Sequence, residues 1–398
     1  MADTRTSRRR ASAFVAVGFT VAVLLAGSNL PTPLYPVYQR DFGLSPLMVT
    51  LVYATYALTV MPCLLVFGPL SDAVGRRRVL IPAVVVAAGA AGLFAAASGA
   101  VWLFAAQIVE GVAMGALQGT AVPALVETEP DGDADHAALI GSAVTVAGAA
   151  VGPLVAGLVA RYGPWPRRLP YLIELVALVL GLILLLALFP HDAGNGTRWR
   201  PRRPTVPAPI RRTFWLAGAS AFLGWAVASL FLSLIPAYVI ELLHTRNLAL
   251  VGALAAAMLG FSALVQLVGR RVPARRAQAV GLALVAGASA LLIVVAHVRS
   301  LSVIAAASVL AGLGLGLAFR GSLAAVTAVA PEDRKGDVVA TYYLVVYLGT
   351  ALPVVGVGLV ALGTGLLTAV QAFGYVVGAG CLVGLCWVVA PQRTPAAA

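Results

Sequence analysis

Twelve apolar stretches recur along the chain, at about 14–36, 47–69, 79–98, 101–125, 138–160, 171–189, 214–240, 247–268, 279–297, 301–329, 338–362 and 366–389. A helix of about 20 residues crosses a hydrocarbon core of about 30 Å, so each stretch is long enough to span a membrane. With 61% apolar and 11% charged residues over 398 positions, and a mean hydropathy of +0.95, the chain has too little polar surface to cover a soluble globule of its size. The expectation is an all-α membrane protein of twelve transmembrane helices with no soluble domain.

Charge orients such a chain. A net charge of +12 would point to nucleic acid in a soluble protein, but here the arginines sit in short loops beside helix ends, so no nucleic-acid partner is expected. Placing the N-terminus in the cytoplasm puts 20 of the 27 basic residues on that side, including Arg8-Arg9-Arg10, Arg76-Arg77-Arg78 and Arg393. Both termini are therefore expected on the cytoplasmic side of the cell membrane. The turn around Pro164-Trp165-Pro166, with Arg161, Arg167 and Arg168, runs against this pattern, as does the acidic loop Glu127, Glu129, Asp131, Asp133, Asp135. Acidic residues weigh little in topology, and this loop offers a partner to the basic turns. The run after Arg10 exceeds a signal-peptide core and reads as a retained first helix. Cys63, Cys381 and Cys386 lie in apolar runs, which argues against a structural disulfide or thiolate metal site. A phosphate-binding Gly-x-x-x-x-Gly-Lys loop is missing, and the four histidines show no metal spacing. Neither an enzyme nor a cofactor is expected.

The stretch His191 to Arg212, rich in Arg, Pro and Gly, divides the chain near its middle and reads as a flexible linker. The halves it joins resemble each other. Phe14, Pro36 and Tyr38 match Phe214, Pro236 and Tyr238 at an offset of 200, and Gly111, Gly115 and Pro130 match Gly312, Gly316 and Pro331 at 201. Arg76-Arg77 is echoed by Arg275-Arg276 at 199. A parallel repeat of six plus six helices follows: an N-terminal bundle over 1–190, a cytoplasmic linker over 191–213 and a C-terminal bundle over 214–398.

The hydrophilic turn Gly68 to Leu80, GPLSDAVGRRRVL, carries the most specific pattern. It resembles the signature between the second and third helices of the major facilitator superfamily, with Gly68, Leu70, Asp72, Gly75, Arg76 and Arg77 in place. Ser71 stands for the usual Ala, and Ala73 replaces the first basic residue. A carboxylate and three arginines at this turn make it the candidate cytoplasmic gate, in which charge pairs across the two halves when the cavity faces outward. In the fifth span, Gly148, Gly152, Pro153 and Gly157 space small residues so that helix backbones approach closely. They resemble the Gly-x-x-x-Gly-Pro-x-x-Gly-Gly motif of drug:proton antiporters, with Ala156 for one Gly. Gln107 stands where those antiporters carry an arginine.

Glu110 lies about nine residues, roughly 14 Å, into the fourth span, and is the one acid expected near the midplane. An ionised carboxylate there must be partnered, face water or take up a proton. Glu174 lies only a few residues into its span and is expected to snorkel to the outer interface. Arg320, the sole basic residue inside a span, either snorkels to the inner interface or lines an internal vestibule. Pro31, Pro33 and Pro36 disturb the outer end of the first helix. In the superfamily the first, fourth, seventh and tenth helices line the central cavity, which makes Asn29, Gln107, Glu110, Gln118, Trp225, Ser229 and Arg320 candidate lining residues. The resemblance implies a monomeric secondary transporter in the bacterial plasma membrane, exporting a small hydrophobic or cationic molecule in exchange for protons. Glu110, with no other carboxylate expected at its depth, is the candidate coupling acid. An uptake permease and a non-transporting receptor on the same scaffold are the alternatives.

Overall fold

The computed structural model describes residues 2–190, 196 and 199–390, less the side chains of 2–9, 134, 135, 138, 142 and 146. His191 and Arg393, and the side chains of Arg8, Arg9 and Asp135, lie outside the described residues. The described chain is built from helices: α1 (Ala2–Asn29), α2 (Tyr35–Phe42), α3 (Pro46–Val74), α4 (Arg76–Ala96), α5 (Ala100–Thr128), α6 (Ala134–Tyr162), α7 (Leu169–Leu188), α8 (Arg211–Ser233), α9 (Ile235–Leu243), α10 (Leu248–Val268), α11 (Ala274–Val298), α12 (Leu301–Val329), α13 (Lys335–Thr364) and α14 (Leu366–Val389). Twelve stretches among them are long and apolar enough to cross a membrane. The protein is an all-α, multi-pass membrane protein.

Local chemistry explains where these helices break. Pro31, Pro33 and Pro36 interrupt the first span, so α1 passes through a 3-10 turn, Thr32–Leu34, into α2. Pro236 sits at the corresponding place in the seventh span, where α8 gives way to α9 after Leu234. Ser45 accepts from Met48 N–H at 3.2 Å to start α3, and Asn247 accepts from Leu250 N–H at 3.2 Å to start α10. Gly75 turns between α3 and α4 at φ 99°, a left-handed conformation that favours glycine.

The ends of the molecule differ. At the end holding these breaks, the kink end, one apolar core joins both halves: Leu34, Tyr38, Val49 and Val52 share it with Phe231, Ile235, Tyr238, Val354 and Val357. At the opposite end, where the linker joins the halves, Phe14, Val17, Leu80 and Leu125 form a core distinct from that of Phe214, Ala217, Val326 and Tyr342. Lipid gives helices little hydrophobic reason to associate, so contact between the halves relies on close backbone approach. Gly157 of α6 lies against Leu248 O and Gly252 of α10, where a methyl group on Gly157 would sit 2.5 Å from that oxygen. Gly148 and Gly152 similarly press on the α1 backbone at Ala22 and Ala26, and Pro153 O abuts Gly252. The expected packing motif thus joins α6 to α1 within one half and to α10 across the halves.

The linker departs from the flexible reading. Residues 199–205 run extended against both halves, with Arg202 N–H donating to Leu65 O at 2.9 Å and Thr205 N–H donating to Thr341 Oγ1 at 2.8 Å. Over these residues, two backbone N–H groups have partners on the two halves in a stretch whose composition implied mobility.

Candidate functional site

α5 brings Gln107 and Glu110 to one face, a turn apart. Gln107 Nε2 donates to Tyr35 Oη at 3.1 Å, and the Tyr35 ring meets Tyr53 of α3 edge-on at 6.4 Å. Glu110 is 3% exposed, and its Oε1 is buried without a hydrogen-bond partner among the described residues. Tyr56, on α3, lies close enough to Glu110 and Tyr347 to interact with both. An unpaired carboxyl in apolar surroundings is costly when charged.

Glu174 is not at the interface. It is 7% exposed, and its carboxylate lies on Gly27 of α1, in space that a methyl group on that glycine would fill. The missing Cβ at Gly27 is what makes burial possible and replaces the snorkelling expected from depth alone. Glu110 and Glu174 lie close enough to interact, so Glu110 is not the one acid of this region. Both acids belong to the N-terminal half.

The C-terminal half presents rings instead. Trp225 of α8 meets Phe319 of α12 edge-on at 6.0 Å, and Phe319 lies 6.2 Å from both Tyr342 and Tyr343 of α13. Trp225 Nε1 is buried without a partner among the described residues. Tyr342 Oη and Ser322 Oγ share a hydrogen bond of 2.6 Å, and Gln118 of α5 donates to Tyr347 Oη across the halves. Nothing in hydropathy marked this cluster, but the spacing Tyr342, Tyr343, Tyr347 on one helix was a signal.

Other expected lining residues have hydrogen-bond partners close to them. Ser229 is fully buried and donates to Ala226 O at 2.8 Å within its own helix. Asn29 donates to Leu25 O at 3.3 Å and to Ser28 Oγ at 3.0 Å. Arg320 donates to Val272 O at 3.0 Å and to Arg270 O, so it binds the turn between α10 and α11. Depth in the helix admitted this site, but the orphan carbonyls of the turn determined it.

The signature turn is closed within its own half in this conformation. Arg76 pairs with Asp72 and, at 3.3 Å, with Glu127 at the end of α5, and donates to Ser71 Oγ at 2.8 Å. Arg77 donates to Phe189 O and, at 2.9 Å, to Leu186 O at the end of α7. The pairing across halves expected of Asp72 is absent among the described residues. The acidic loop does serve the basic turn through Glu127. Beside it Glu129 is desolvated, but hydrogen bonds from His136 and from the Asp131 and Asp133 amides hold its carboxyl below the usual range.

Comparison with known proteins agrees with this architecture. The puromycin resistance protein of Streptomyces alboniger is 36% identical over 164 residues, 40% of this chain and 32% of that protein. The class C tetracycline resistance protein of Escherichia coli is 30% identical over 215 residues, 52% of each chain. The match thus spans about a third to a half of the length of these relatives. Among solved structures, a peptide transporter in complex with sulfate has a TM-score of 0.77 at 16% identity, covering 96% of this chain and 94% of that one. A bacterial homologue of the lysosomal transporter Spinster, inward-facing and unoccupied, has a TM-score of 0.69 at 16% identity, over 96% and 93%. At such identity these two attest the fold alone. The family profile matches residues 17–354, and the chain is a transporter belonging to the Major Facilitator Superfamily.

Proposed function

We propose that the protein is a proton-coupled exporter of a small lipophilic or cationic organic molecule, working as a monomer in the cell membrane with its linker end in the cytoplasm. The observation that carries the reading is Glu110, a buried carboxyl with an unpartnered oxygen on one half, while the other half carries the rings Trp225, Phe319, Tyr342 and Tyr343. A cation that passes between the halves meets cation–π attraction from the rings and charge from the carboxylate. A proton and that cation compete for the same carboxylate, which couples their movements in opposite directions.

Alternation follows from the division of the chain. Residues 1–190 and 214–398 rock as two bundles about the kink-end core, opening the linker end in one state and closing it in the other. In that second state, Gly68, Asp72, Gly75, Arg76 and Arg77 form the gate. The sign of the basic residues supports a cytoplasmic linker end, and resistance proteins among the relatives support export.

The test uses everted membrane vesicles carrying the chain, with an acid interior and ethidium as probe. Accumulation that collapses with a protonophore is the expected result. Accumulation only in right-side-out vesicles would make it an uptake permease, and saturable binding with no flux would make it a receptor; either outcome overturns the proposal.

A further inference from the structure

Pro69 stands inside α3. It has no N–H, so the carbonyl of Leu65, four residues earlier, loses its helical donor. The linker supplies the replacement: Arg202 N–H donates to Leu65 O at 2.9 Å, and Trp199 Nε1 donates to Val66 O at 3.2 Å. The opposite edge of the same segment is held by α13. Arg202 Nη1 donates to Gly336 O at 3.2 Å, and Thr205 N–H donates to Thr341 Oγ1 at 2.8 Å. The guanidinium fills the gap between the helices, its carbon lying 3.1 Å from where a methyl group on Gly336 would sit and 3.9 Å from where one on Gly68 would sit.

The segment is made for this place. In Trp199-Arg-Pro-Arg-Arg-Pro-Thr205, Pro201 and Pro204 fix their own φ and drive Arg200 and Arg203 towards extended conformations. An extended chain with few alternatives loses little entropy on docking. α3 belongs to one half and α13 to the other; at this end the core of Phe214 and Tyr342 is separate from that of Phe14 and Leu80, which takes in Tyr347 and Ala351 further along α13.

We propose that Trp199–Thr205 is a strut, wedged between α3 and α13, that holds the linker end open and must leave its seat before that end closes. The strut acts on the balance between the two conformations, so it stands independently of the transported molecule, the direction of transport and Glu110. Closure brings Leu65–Gly68 and Gly336–Thr341 together and expels Arg202 from between them. It also strips Leu65 O of its donor, which biases the resting protein towards the open state.

Spin labels at Val126 of α5 and Val329 of α12, in a chain whose three cysteines are replaced by serine, report the opening as a distance distribution in lipid nanodiscs. Thr341→Val removes one acceptor at unchanged size and should raise the short-distance population about threefold, the scale of one net hydrogen bond. Arg202→Pro removes the N–H and the guanidinium together and should raise it by about tenfold or more. If Arg202→Pro does not fold, Thr341→Val decides. A distance distribution unchanged by the folded variants overturns the proposal.

Discussion

Arg77 and Arg275 do the same work in the two halves. Arg77, at the start of α4, donates to Leu186 O and Phe189 O at the end of α7, and Arg275, at the start of α11, donates to Val388 O, Val389 O and Ala390 O at the end of α14. Donor and acceptors are displaced alike by about 200 residues, so the repeat seen in glycines and prolines is also a repeat of hydrogen bonds. The halves part company where each faces the other. Glu110 corresponds to Ala311, Gln107 to Ser308, Glu174 to Gly374 and Gly27 to Val227, whereas Gly119 corresponds to Arg320 and Leu25 to Trp225. Intramembrane acids occur in one half only, and the rings around Trp225 in the other. A duplicated frame keeps what terminates helices and changes the residues between them, so under the proposed function coupling and stacking fall to different bundles.

The largest effect that sharpens this division belongs to Glu110. Glu110→Gln keeps shape and hydrogen-bonding capacity but fixes the neutral state, so gradient-driven accumulation should fall to the gradient-independent background, while the ethidium binding left to the rings no longer responds to pH. Trp225→Ala, on the other half, should do the reverse, weakening binding by about tenfold with coupling retained. Vesicle flux and fluorescence titration on the same preparations separate the two. If both variants lose binding and coupling together, the halves do not divide the work.

Gly27 offers a way to break it. Gly27→Ala drives a methyl group into the Glu174 carboxylate and should cost about 1–3 kcal/mol by overpacking. In a Glu174→Ala background the same change should cost under about 0.5 kcal/mol, because the two residues are neighbours and their effects are non-additive. Unfolding of all four proteins in one detergent measures the cycle. Additive costs would mean that Glu174 is not seated on Gly27.

Much of the frame was legible before any coordinates. The tenth span, expected at 301–329, is α12 over Leu301–Val329, and the break that three prolines imply falls between α1 and α2. Long apolar runs and prolines act through the local chain, so the sequence carries them directly. The centre was legible in part. Glu110 stood out because a carboxyl at that depth has few reasons to be there, but the burial of Glu174 depends on an absent side chain 147 positions away. The linker misled for a related reason. Its composition is that of a mobile segment, while the orphan carbonyl that seats it belongs to Leu65 of another helix. Arg320 and Ser229 were assigned by helix number, and hydrogen bonds to local carbonyls claim both.

The arginine clamps give a smaller effect, with symmetry as the prediction. Charge-assisted bonds to helix-end carbonyls are worth about 1.5–3 kcal/mol when removal strands the acceptors. Arg77→Ala and Arg275→Ala should therefore destabilise by similar amounts, within about 1 kcal/mol of each other, and Arg→Lys should restore only part because one ammonium cannot reach two or three carbonyls in a plane. Thermal unfolding of the four variants provides the comparison. A clamp that matters in one half only would limit the repeat to backbone geometry.

Glu129 should give the smallest effect, and the one that depends on pH. Its repeat counterpart is Ala330, so this carboxyl has no equivalent in the other half, although the turn there carries Glu332 and Asp333. Burial opposes its charge, but His136 and the Asp131 and Asp133 amides outweigh that and hold the carboxyl below its ordinary range. A carboxyl depressed in the folded state adds stability above its unfolded value of about 4.3, and that stability disappears as pH falls through the lower folded value. Glu129→Gln should thus lower the unfolding temperature at pH 7 and match the parent at the acid end of the range, whereas Ala330→Ser should show no pH-dependent difference. An offset in Glu129→Gln that stays constant from pH 7 to the acid end would assign the loss to packing of the turn, leaving the charge of Glu129 without a part in holding α5 to α6.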